Sequence, residues 1–206
     1  MSTFVIDDIL TYLSDMGGLE LAGLIFGLLN VFFLIRQSIK NWFFGILYIL
    51  ISFIIFWQSR LYGDFLLHIV YLVLNVYGWI HWAGKDSSEP LIVTRLSGQE
   101  VFRTIGTTVI GVILFAQLLI HIPSWFPAME PASLPYWDST TTIMSIIAMW
   151  LTTQKKIENW IYWLLIDILA TGIYYYKELY FYSLLYFIYI FFAIWGLQAW
   201  RRAMKA

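Results

Sequence analysis

Seven apolar stretches, each about as long as a membrane-spanning helix, follow one another along this chain of 206 residues. A helix needs roughly 20 mostly apolar residues to cross the hydrocarbon core of a lipid bilayer. The stretches cover residues 19–37, 41–59, 64–83, 100–121, 137–153, 158–177 and 180–200. This pattern predicts an all-α integral membrane protein with seven transmembrane helices. The fifth stretch is the least apolar, because it contains a run of threonines at 140–142.

The composition agrees with lipid as the main solvent and excludes several classes of function. Hydrophobic residues make up 61% of the chain and charged residues only 12%, whereas a soluble domain has about 25% charged residues. The net charge of −1 offers no electrostatic attraction for nucleic acid. The chain has no cysteine, which excludes disulfides, thiolate catalysis and cysteine-ligated metals. We predict no metal site and no cofactor.

The distribution of basic residues orients the predicted bundle. Cytoplasmic loops of membrane proteins are enriched in lysine and arginine. Ten of the twelve such residues fall on one side of the bundle, and only Arg60 and Lys177 fall on the other. We therefore expect the N-terminus outside and the C-terminus in the cytoplasm. Residues 1–18 are acidic and have no lysine or arginine, so we expect no secretory signal there; a short amphipathic helix is compatible with this segment.

The chain also matches itself after a shift of 118 residues. Over the 42 positions from residue 41 to residue 82, eleven are identical in the second copy. Asn41-Trp42, Gly78 and Trp82 recur as Asn159-Trp160, Gly196 and Trp200. Each copy holds three predicted spans, and one further span joins them, so both copies enter the membrane in the same direction. Such parallel repeats occur in transporters of the SWEET type, which bind substrate near the middle of the membrane.

The predicted organisation follows from the spans and the repeat. It has seven segments: an extracytoplasmic N-terminal segment at 1–18, repeat 1 at 19–83, a cytoplasmic loop at 84–99, the linker helix at 100–121, an extracytoplasmic loop at 122–136, repeat 2 at 137–201 and a cytoplasmic tail at 202–206.

Polar side chains line one face of the third predicted span. His68, Tyr71 and Asn75 are separated by three and four residues, a spacing that places them on the same side of a helix. This face either contacts a ligand or makes hydrogen bonds between helices, which are worth about 0.6 kcal/mol on average in membranes. Ligand binding is favoured for Asn75, because its repeat counterpart is Ala193. Tyr71 matches Tyr189, and both are candidate substrate contacts.

The sixth predicted span begins with Asn159 and carries Trp160, Trp163 and Asp167 on one face. Two indoles about a turn apart suit a flat heteroaromatic ring, and a cationic ring gains further attraction from their π-systems. An interfacial aromatic belt is the alternative for Trp160. A carboxylate inside a span is by default a functional hypothesis, and structural pairing is its alternative.

The fifth span carries Asp138, Ser145 and Met149 on one face. This face is polar at its outer end, as expected of an entry path for a substrate. Asp138 is equally compatible with a helix N-cap. In the first span, Gly23 and Gly27 form a small-xxx-small pair, which is more typical of helix packing than of a binding site.

Four segments together resemble the PnuC family of bacterial vitamin transporters: residues 75–82, 135–139, 145–149 and 158–163. The resemblance implies a seven-span protein of the bacterial inner membrane. It also implies uptake of nicotinamide riboside by facilitated diffusion, with phosphorylation in the cytoplasm trapping the vitamin. Asn159, Trp160 and Trp163 are implied as ligand contacts. Relatives in this family take thiamine or riboflavin.

Two departures from the family leave the substrate open. His68 stands where the resemblance implies glutamine, and Asp167 stands where it implies asparagine. Thiamine or riboflavin is the alternative substrate, and proton coupling through either residue is a variant mechanism. A seven-helix chromophore protein or receptor is disfavoured, because a retinal Schiff base needs a lysine within a span. An enzyme is not expected, because an aspartyl protease needs two facing carboxylates. Homo-oligomerisation is left open.

Overall fold

The computed structural model describes residues 2–58, 62–84, 91–126 and 132–205. Within these residues the chain forms eight α-helices and no named strand. Their bounds are α1 Ser2–Asp15, α2 Gly18–Ile35, α3 Lys40–Gln58, α4 Tyr62–Ala83, α5 Gly98–Trp125, α6 Pro135–Thr153, α7 Asn159–Tyr176 and α8 Tyr180–Ala203.

The helices follow the predicted apolar stretches within a few residues. The N-terminal helix α1 exists, as its amphipathic sequence suggested. The largest difference is at α5, which continues through Pro123 to Trp125 instead of ending at residue 121. Pro135 begins α6 at its first helical positions, where its missing N–H costs no hydrogen bond. Ser97 caps α5 and accepts a hydrogen bond from the Glu100 backbone.

Five helices of the described chain are long and apolar enough to cross a membrane, namely α2, α3, α4, α5 and α8. The other two long helices, α6 and α7, have 19 and 18 residues. Helix α6 contains five threonines and two serines, and helix α7 contains four tyrosines and Asp167. The number of spans, seven, therefore stays a prediction. The polar residues that lower the hydropathy of α6 and α7 include several of the candidate site residues.

Six of the helices close into a ring. Within the described residues the packed pairs are α2 with α3, α3 with α4, α4 with α6, α6 with α7, α7 with α8, and α8 with α2. Helix α5 packs on α6 and helix α1 packs on α8. The two halves of the chain therefore meet along two seams, α4 against α6 and α2 against α8. These two seams are equivalent under the 118-residue shift.

The turns that join the helices repeat at the same offset. Gln37 and Lys155 both have positive φ angles, 53° and 48°. In the first turn the Gln37 backbone N–H donates to the Leu34 carbonyl at 2.9 Å, and in the second the Lys155 N–H donates to the Thr152 carbonyl at 3.1 Å. The two copies thus share local geometry, whereas their orientation in the membrane stays a prediction.

The residues that are identical in the two copies pack in matching places. A Cβ on Gly78 would overlap the indole of Trp42, and a Cβ on Gly196 would overlap the indole of Trp160. Trp42 meets Trp82 edge-on at 5.2 Å between ring centroids, and Trp160 meets Trp200 edge-on at 5.6 Å. The repeated tryptophans and glycines therefore allow close contact between the second and third helices of each copy.

Candidate functional site

One residue from each ring helix lies close to the middle of that helix, and together we call these six the mid-layer. They are Gly27 of α2, Tyr48 of α3, Tyr71 of α4, Ser145 of α6, Asp167 of α7 and Tyr189 of α8. The helix ends are more than a turn away on both sides. Polar groups at this depth are costly in lipid unless they face a partner or an aqueous path, so the mid-layer is the candidate site.

Each seam carries a tyrosine hydroxyl opposite a small residue. At the α8–α2 seam, a Cβ placed on Gly27 lies 3.5 Å from the Tyr189 hydroxyl oxygen. At the α4–α6 seam, Ser145 neighbours the Tyr71 hydroxyl, and the Ser145 hydroxyl donates to the Thr141 carbonyl at 2.7 Å. Gly27 and Ser145 are counterparts under the 118-residue shift, as are the two tyrosines. The middle of the ring is therefore built with approximate two-fold symmetry.

Tyr48 connects the two seams. Its ring lies 3.5 Å from the Cβ position of Gly27, and its centroid is 5.9 Å from the imidazole of His68. Its hydroxyl is an electrostatic neighbour of Tyr71 and Tyr189. The side chain is 36% exposed although its contacts come from other ring helices. We infer that its open part faces the space that the ring encloses.

His68 lies one turn from Tyr71 on α4. Its Nδ1 is 2.9 Å from the Asp64 carbonyl oxygen, so this nitrogen is the donor in the neutral ring. Its Nε2 is buried without a hydrogen-bond partner. The imidazole packs edge-on against Phe56 and Tyr71. The predicted face of His68 and Tyr71 thus points toward α3 and α6.

Asp167 is the ninth residue of α7 and is only 6% exposed. Its backbone carbonyl accepts a hydrogen bond from Thr171 at 2.7 Å. Tyr186 and Tyr189 are electrostatic neighbours of its carboxylate. The ion pairs of the described residues, Lys156 with Glu100 and Lys177 with Asp138, do not involve it. Asp167 is therefore a buried acid without a cationic partner in the described part of the chain.

Asn75 takes part in a polar layer between helices, one turn from Tyr71. It lies toward the end of the ring that carries Lys40, Lys155 and Arg201, which we call the basic end. Its side chain is 2% exposed, and its Nδ2 donates to the Tyr71 carbonyl at 3.0 Å. Its Oδ1 has no partner and occupies the place that a Cβ of Gly45 would take. Asn30 approaches the same point, with its Nδ2 2.7 Å from that Cβ position. Gly45 thus makes room for two amides.

Trp163 occupies the corresponding place in the second copy. The 118-residue shift relates Asn30, Gly45 and Asn75 to Ala148, Trp163 and Ala193. Trp163 packs against the two buried clusters that contain these alanines, and its Nε1 is buried without a partner. One copy therefore presents two amides around a glycine, and the other presents one indole between two alanines.

Trp160 and Asn159 lie closer to the basic end, away from the mid-layer. Trp160 is 2% exposed and packs on Gly196 and Trp200, as Trp42 does in the other copy. Asn159 is fully buried, and its Nδ2 donates to the Lys156 carbonyl at 2.6 Å. The geometry explains both as residues that hold the turn and the helix packing. Their contact with a ligand stays a prediction.

The remaining predicted residues lie on α6. Met149 is half-buried one turn beyond Ser145. Asp138 lies at the opposite end of the helix, where its carboxylate is 3.8 Å from the Lys177 ammonium. Its interpretation as an N-cap is wrong, because the cap position is Leu134 and Asp138 falls within the first turn. It is separated from the mid-layer by about two turns.

The basic end of the ring is closed by tryptophan hydrogen bonds across both seams. Trp82 of α4 donates from Nε1 to the Thr153 carbonyl of α6 at 3.0 Å. Trp200 of α8 donates from Nε1 to the Leu34 carbonyl of α2 at 3.2 Å. The two indoles lie 6.2 Å apart. These rings fill the space between the halves at this end.

The segment that contains Leu91 and Thr94, before α5, reinforces the same end. Thr94 pairs with the turn after α6, since its N–H donates to the Lys155 carbonyl and its carbonyl accepts from Ile157. The Lys155 ammonium donates to the Leu91 carbonyl at 2.7 Å and lies 4.5 Å from the centroid of the Trp82 ring. Burial lowers the pKa of Lys155. The ammonium is nonetheless held by a carbonyl and an aromatic face.

Three residues of this region were not among the predicted site residues: Tyr48 was not singled out, and Gly27 and Asn30 were interpreted as part of a helix-packing face. The signal for Tyr48 was available, because its repeat counterpart is Ile166. The same comparison flagged Asn75 and Asp167. Asn30 has Ala148 as its counterpart. A search for polar residues with apolar counterparts therefore finds the asymmetric part of the site, and it misses the glycine.

Comparison with known proteins now identifies the family. Residues 17–202 match the family described as nicotinamide mononucleotide transporter. The chain belongs to this family. The nicotinamide riboside transporter PnuC of Escherichia coli (strain K12) is 28% identical over 225 residues, which cover 97% of this chain and 94% of the relative. The resemblance to the PnuC family is thus confirmed, and this family member is a multi-pass membrane transporter.

Two further relatives extend the comparison. The riboflavin/roseoflavin transporter RibM of Streptomyces davaonensis is 26% identical over 187 residues, covering 88% of this chain and 83% of the relative. A solved structure described as the crystal structure of the vitamin B3 transporter PnuC has a TM-score of 0.72 and 19% identity. It covers 98% of this chain and 89% of its own. This likeness supports the fold, and the named vitamins differ among relatives.

Proposed function

We propose that this protein carries nicotinamide riboside across the bacterial inner membrane by facilitated diffusion, with cytoplasmic phosphorylation trapping the product. The observation that carries the proposal is the mid-layer, in which tyrosine, serine and aspartate side chains lie at one depth of a six-helix ring. The name of the Escherichia coli relative supports the choice of substrate.

The chemistry of the ligand suits the asymmetry of the ring. Nicotinamide riboside has a flat cationic pyridinium, a carboxamide and ribose hydroxyls. The indole of Trp163 offers a flat surface for the pyridinium. The free Oδ1 of Asn75 is an acceptor for a carboxamide N–H. Tyr71, Ser145 and Tyr189 offer hydroxyls at the two seams.

Transport requires the two ends of the ring to open in turn. In the proposed cycle each half of the chain moves as a unit of three helices about the site. The basic end, taken as cytoplasmic, opens only when the bonds from Trp82 to Thr153 and from Trp200 to Leu34 break. A typical hydrogen bond within a protein contributes about 0.5–1.5 kcal/mol net, so these two bonds, one part-buried and one buried, add only a few kcal/mol to the barrier for opening.

Uptake into proteoliposomes tests the substrate. Purified protein should accumulate or exchange labelled nicotinamide riboside, with competition by the unlabelled riboside and little competition by nicotinamide mononucleotide, riboflavin or thiamine. Empty liposomes serve as the control. Uptake of riboflavin instead would favour the activity named for the Streptomyces relative and would remove the riboside as substrate, while the assignment as a transporter would stand.

The proposed orientation has an independent test. The chain has no cysteine, so a single cysteine introduced at Ser14 or at Ala203 is the one target of a membrane-impermeant maleimide. With the N-terminus outside and seven spans, intact cells should label Ser14→Cys and leave Ala203→Cys unlabelled until the membrane is permeabilised. Labelling of both ends from outside would contradict the odd number of spans.

A further inference from the structure

The buried charge of Asp167 lacks a counter-charge within the ring. Lysine and arginine side chains of the six ring helices occur at helix ends, at Lys40 of α3 and at Arg201 and Arg202 of α8. The ion pairs of the described residues lie at the ends as well. Tyr186 and Tyr189 are electrostatic neighbours of the carboxylate. On α4, the Nδ1 of His68 donates a hydrogen bond to the Asp64 carbonyl.

A carboxylate in this position is costly without a partner. Removing a charge from water carries a penalty of several kcal/mol that only a well-placed opposite charge offsets. Such residues in membrane proteins therefore pair with one another or mark the path of a charged substrate. No cation of the described ring pairs with Asp167, so a cationic ligand supplies the counter-charge that the ring lacks.

The end of the ring opposite the basic end carries two carboxylates, and we call it the acidic end; it also favours cations. Asp64 lies in the first turn of α4 and Asp138 in the first turn of α6, and the two carboxylates are electrostatic neighbours. Lys177 is the one lysine or arginine that neighbours them in the described residues, at 3.8 Å from Asp138. Two carboxylates against one ammonium leave this mouth net negative, and a net negative mouth raises the local concentration of cations.

A ladder of tyrosines leads from this end to the mid-layer. The hydroxyls of Tyr12 and Tyr182 are 2.7 Å apart. Tyr182 lies 5.6 Å from Tyr174, which stacks on Tyr186 at 5.2 Å, and Tyr186 meets Tyr189 edge-on at 5.9 Å. The faces of aromatic rings attract cations within about 6 Å. The ladder ends beside Asp167.

We infer that Asp167 is the counter-ion that makes this protein select a ligand with a fixed positive charge and reject a neutral ligand of the same shape. The inference rests on the proposed function only for the identity of that ligand. A cationic ring at the mid-layer pairs with the carboxylate. A neutral ring leaves the carboxylate either unpaired or obliged to take up a proton, and both outcomes weaken binding.

A pair of ligands with the same ribose and carboxamide but a different ring charge tests this, and Asp167→Asn separates the effect of charge from that of the reduced ring. Nicotinamide riboside is a pyridinium cation, and its 1,4-dihydro form is neutral with the same ribose and carboxamide. Calorimetry on the purified full-length protein should give at least about tenfold tighter binding of the cation, equivalent to about 1.4 kcal/mol. In Asp167→Asn this ratio should fall severalfold, toward the smaller preference for a cation that the Trp163 indole gives alone, because the amide keeps the shape and loses the charge.

Asp15→Asn is the matched control. It makes the same change at an exposed residue at the end of α1, and it should keep the wild-type ratio. Equal binding of the two forms by the wild-type protein would overturn the inference, and this measurement needs no variant to fold. Equal loss of both ligands in Asp167→Asn, with unchanged elution on size exclusion, would also overturn it, because Asp167 would then act without regard to charge.

The proposed substrate and the inference are separable. If the wild-type protein binds neither form of the riboside, the same comparison is made with thiamine and 3-deazathiamine, its neutral thiophene isostere. A preference for thiamine that is lost in Asp167→Asn supports charge selection and discards the riboside as substrate. Absence of any preference there contradicts charge selection itself.

Discussion

Gly196→Ala probes the contact on which the packing of the second copy depends. A Cβ at this position lies 2.5 Å from Cζ2 and 2.5 Å from Cζ3 of the Trp160 indole, whereas ordinary contacts between such carbons are about 3.5–4.0 Å. The indole is rigid and fully enclosed, so it has to move by about 1 Å together with its neighbours. Overpacking of this kind typically costs about 1–3 kcal/mol.

The expected result is a lower unfolding temperature in detergent, measured on purified protein by size exclusion after heating. By the scaling for chains of 150–250 residues, a loss of 1–3 kcal/mol corresponds to roughly 2–12 °C. Gly172→Ala on α7 is the control, because nothing lies within 4 Å of its added Cβ. That variant should keep or slightly raise stability, since alanine favours a helix over glycine by up to about 1 kcal/mol.

A second substitution sharpens the test. Replacing Trp160 by leucine removes ring atoms that the new methyl group strikes, so the pair Gly196→Ala with Trp160→Leu should be less destabilised than the sum of the two single changes. Additive losses would show that the two residues do not press on each other. A Gly196→Ala protein as stable as the Gly172→Ala control would refute the packing argument outright.

Three further outcomes are expected. Trp163→Ala should weaken binding of nicotinamide riboside by about 1–2 kcal/mol in calorimetry, through loss of an aromatic face; unchanged affinity would remove Trp163 from the site. Trp82→Phe removes the donor to Thr153 and should favour opening of the basic end, seen as faster labelling of a cysteine placed at Ser145. Gly27→Leu should abolish uptake while the protein still folds, because the added side chain projects toward the Tyr189 hydroxyl; normal uptake would exclude a path past α2.

Much of the fold was predictable because lipid imposes simple rules on a sequence. Apolar runs of about 20 residues locate helices, and the observed ends differ from the predicted ones by only a few residues. Pro123 shows the limit of such reasoning. It was placed in a break, but α5 continues through it, because near a helix end the lost hydrogen bond is readily replaced by water or a neighbouring group.

The repeat was visible in the sequence, but the meaning of its identical residues was not. Trp160 was predicted as a ligand contact from its aromatic ring and its helix face, and Asn159 was implied as one by the family resemblance; both contacts stay predictions. The structure shows that Trp160 shares its packing with Trp42, and Asn159 holds a turn. The identical residues Trp42 and Trp160 serve helix packing in both copies, whereas the identical residues Tyr71 and Tyr189 lie in the mid-layer. Two polar residues with apolar counterparts, Tyr48 with Ile166 and Asp167 with Ile49, lie there as well.

By itself, the sequence determined that this chain is embedded in the membrane, that its two repeats are related, and that Asp167 lies near the middle of an apolar segment. These properties are encoded locally, in the length and polarity of each stretch. Only the tertiary structure decided which helices are neighbours, and hence that α4 meets α6 and α2 meets α8. Gly27 joins the site only because α8 brings the Tyr189 hydroxyl against it. Contacts between distant segments depend on how their side chains pack together, and the local sequence of one helix does not determine that packing.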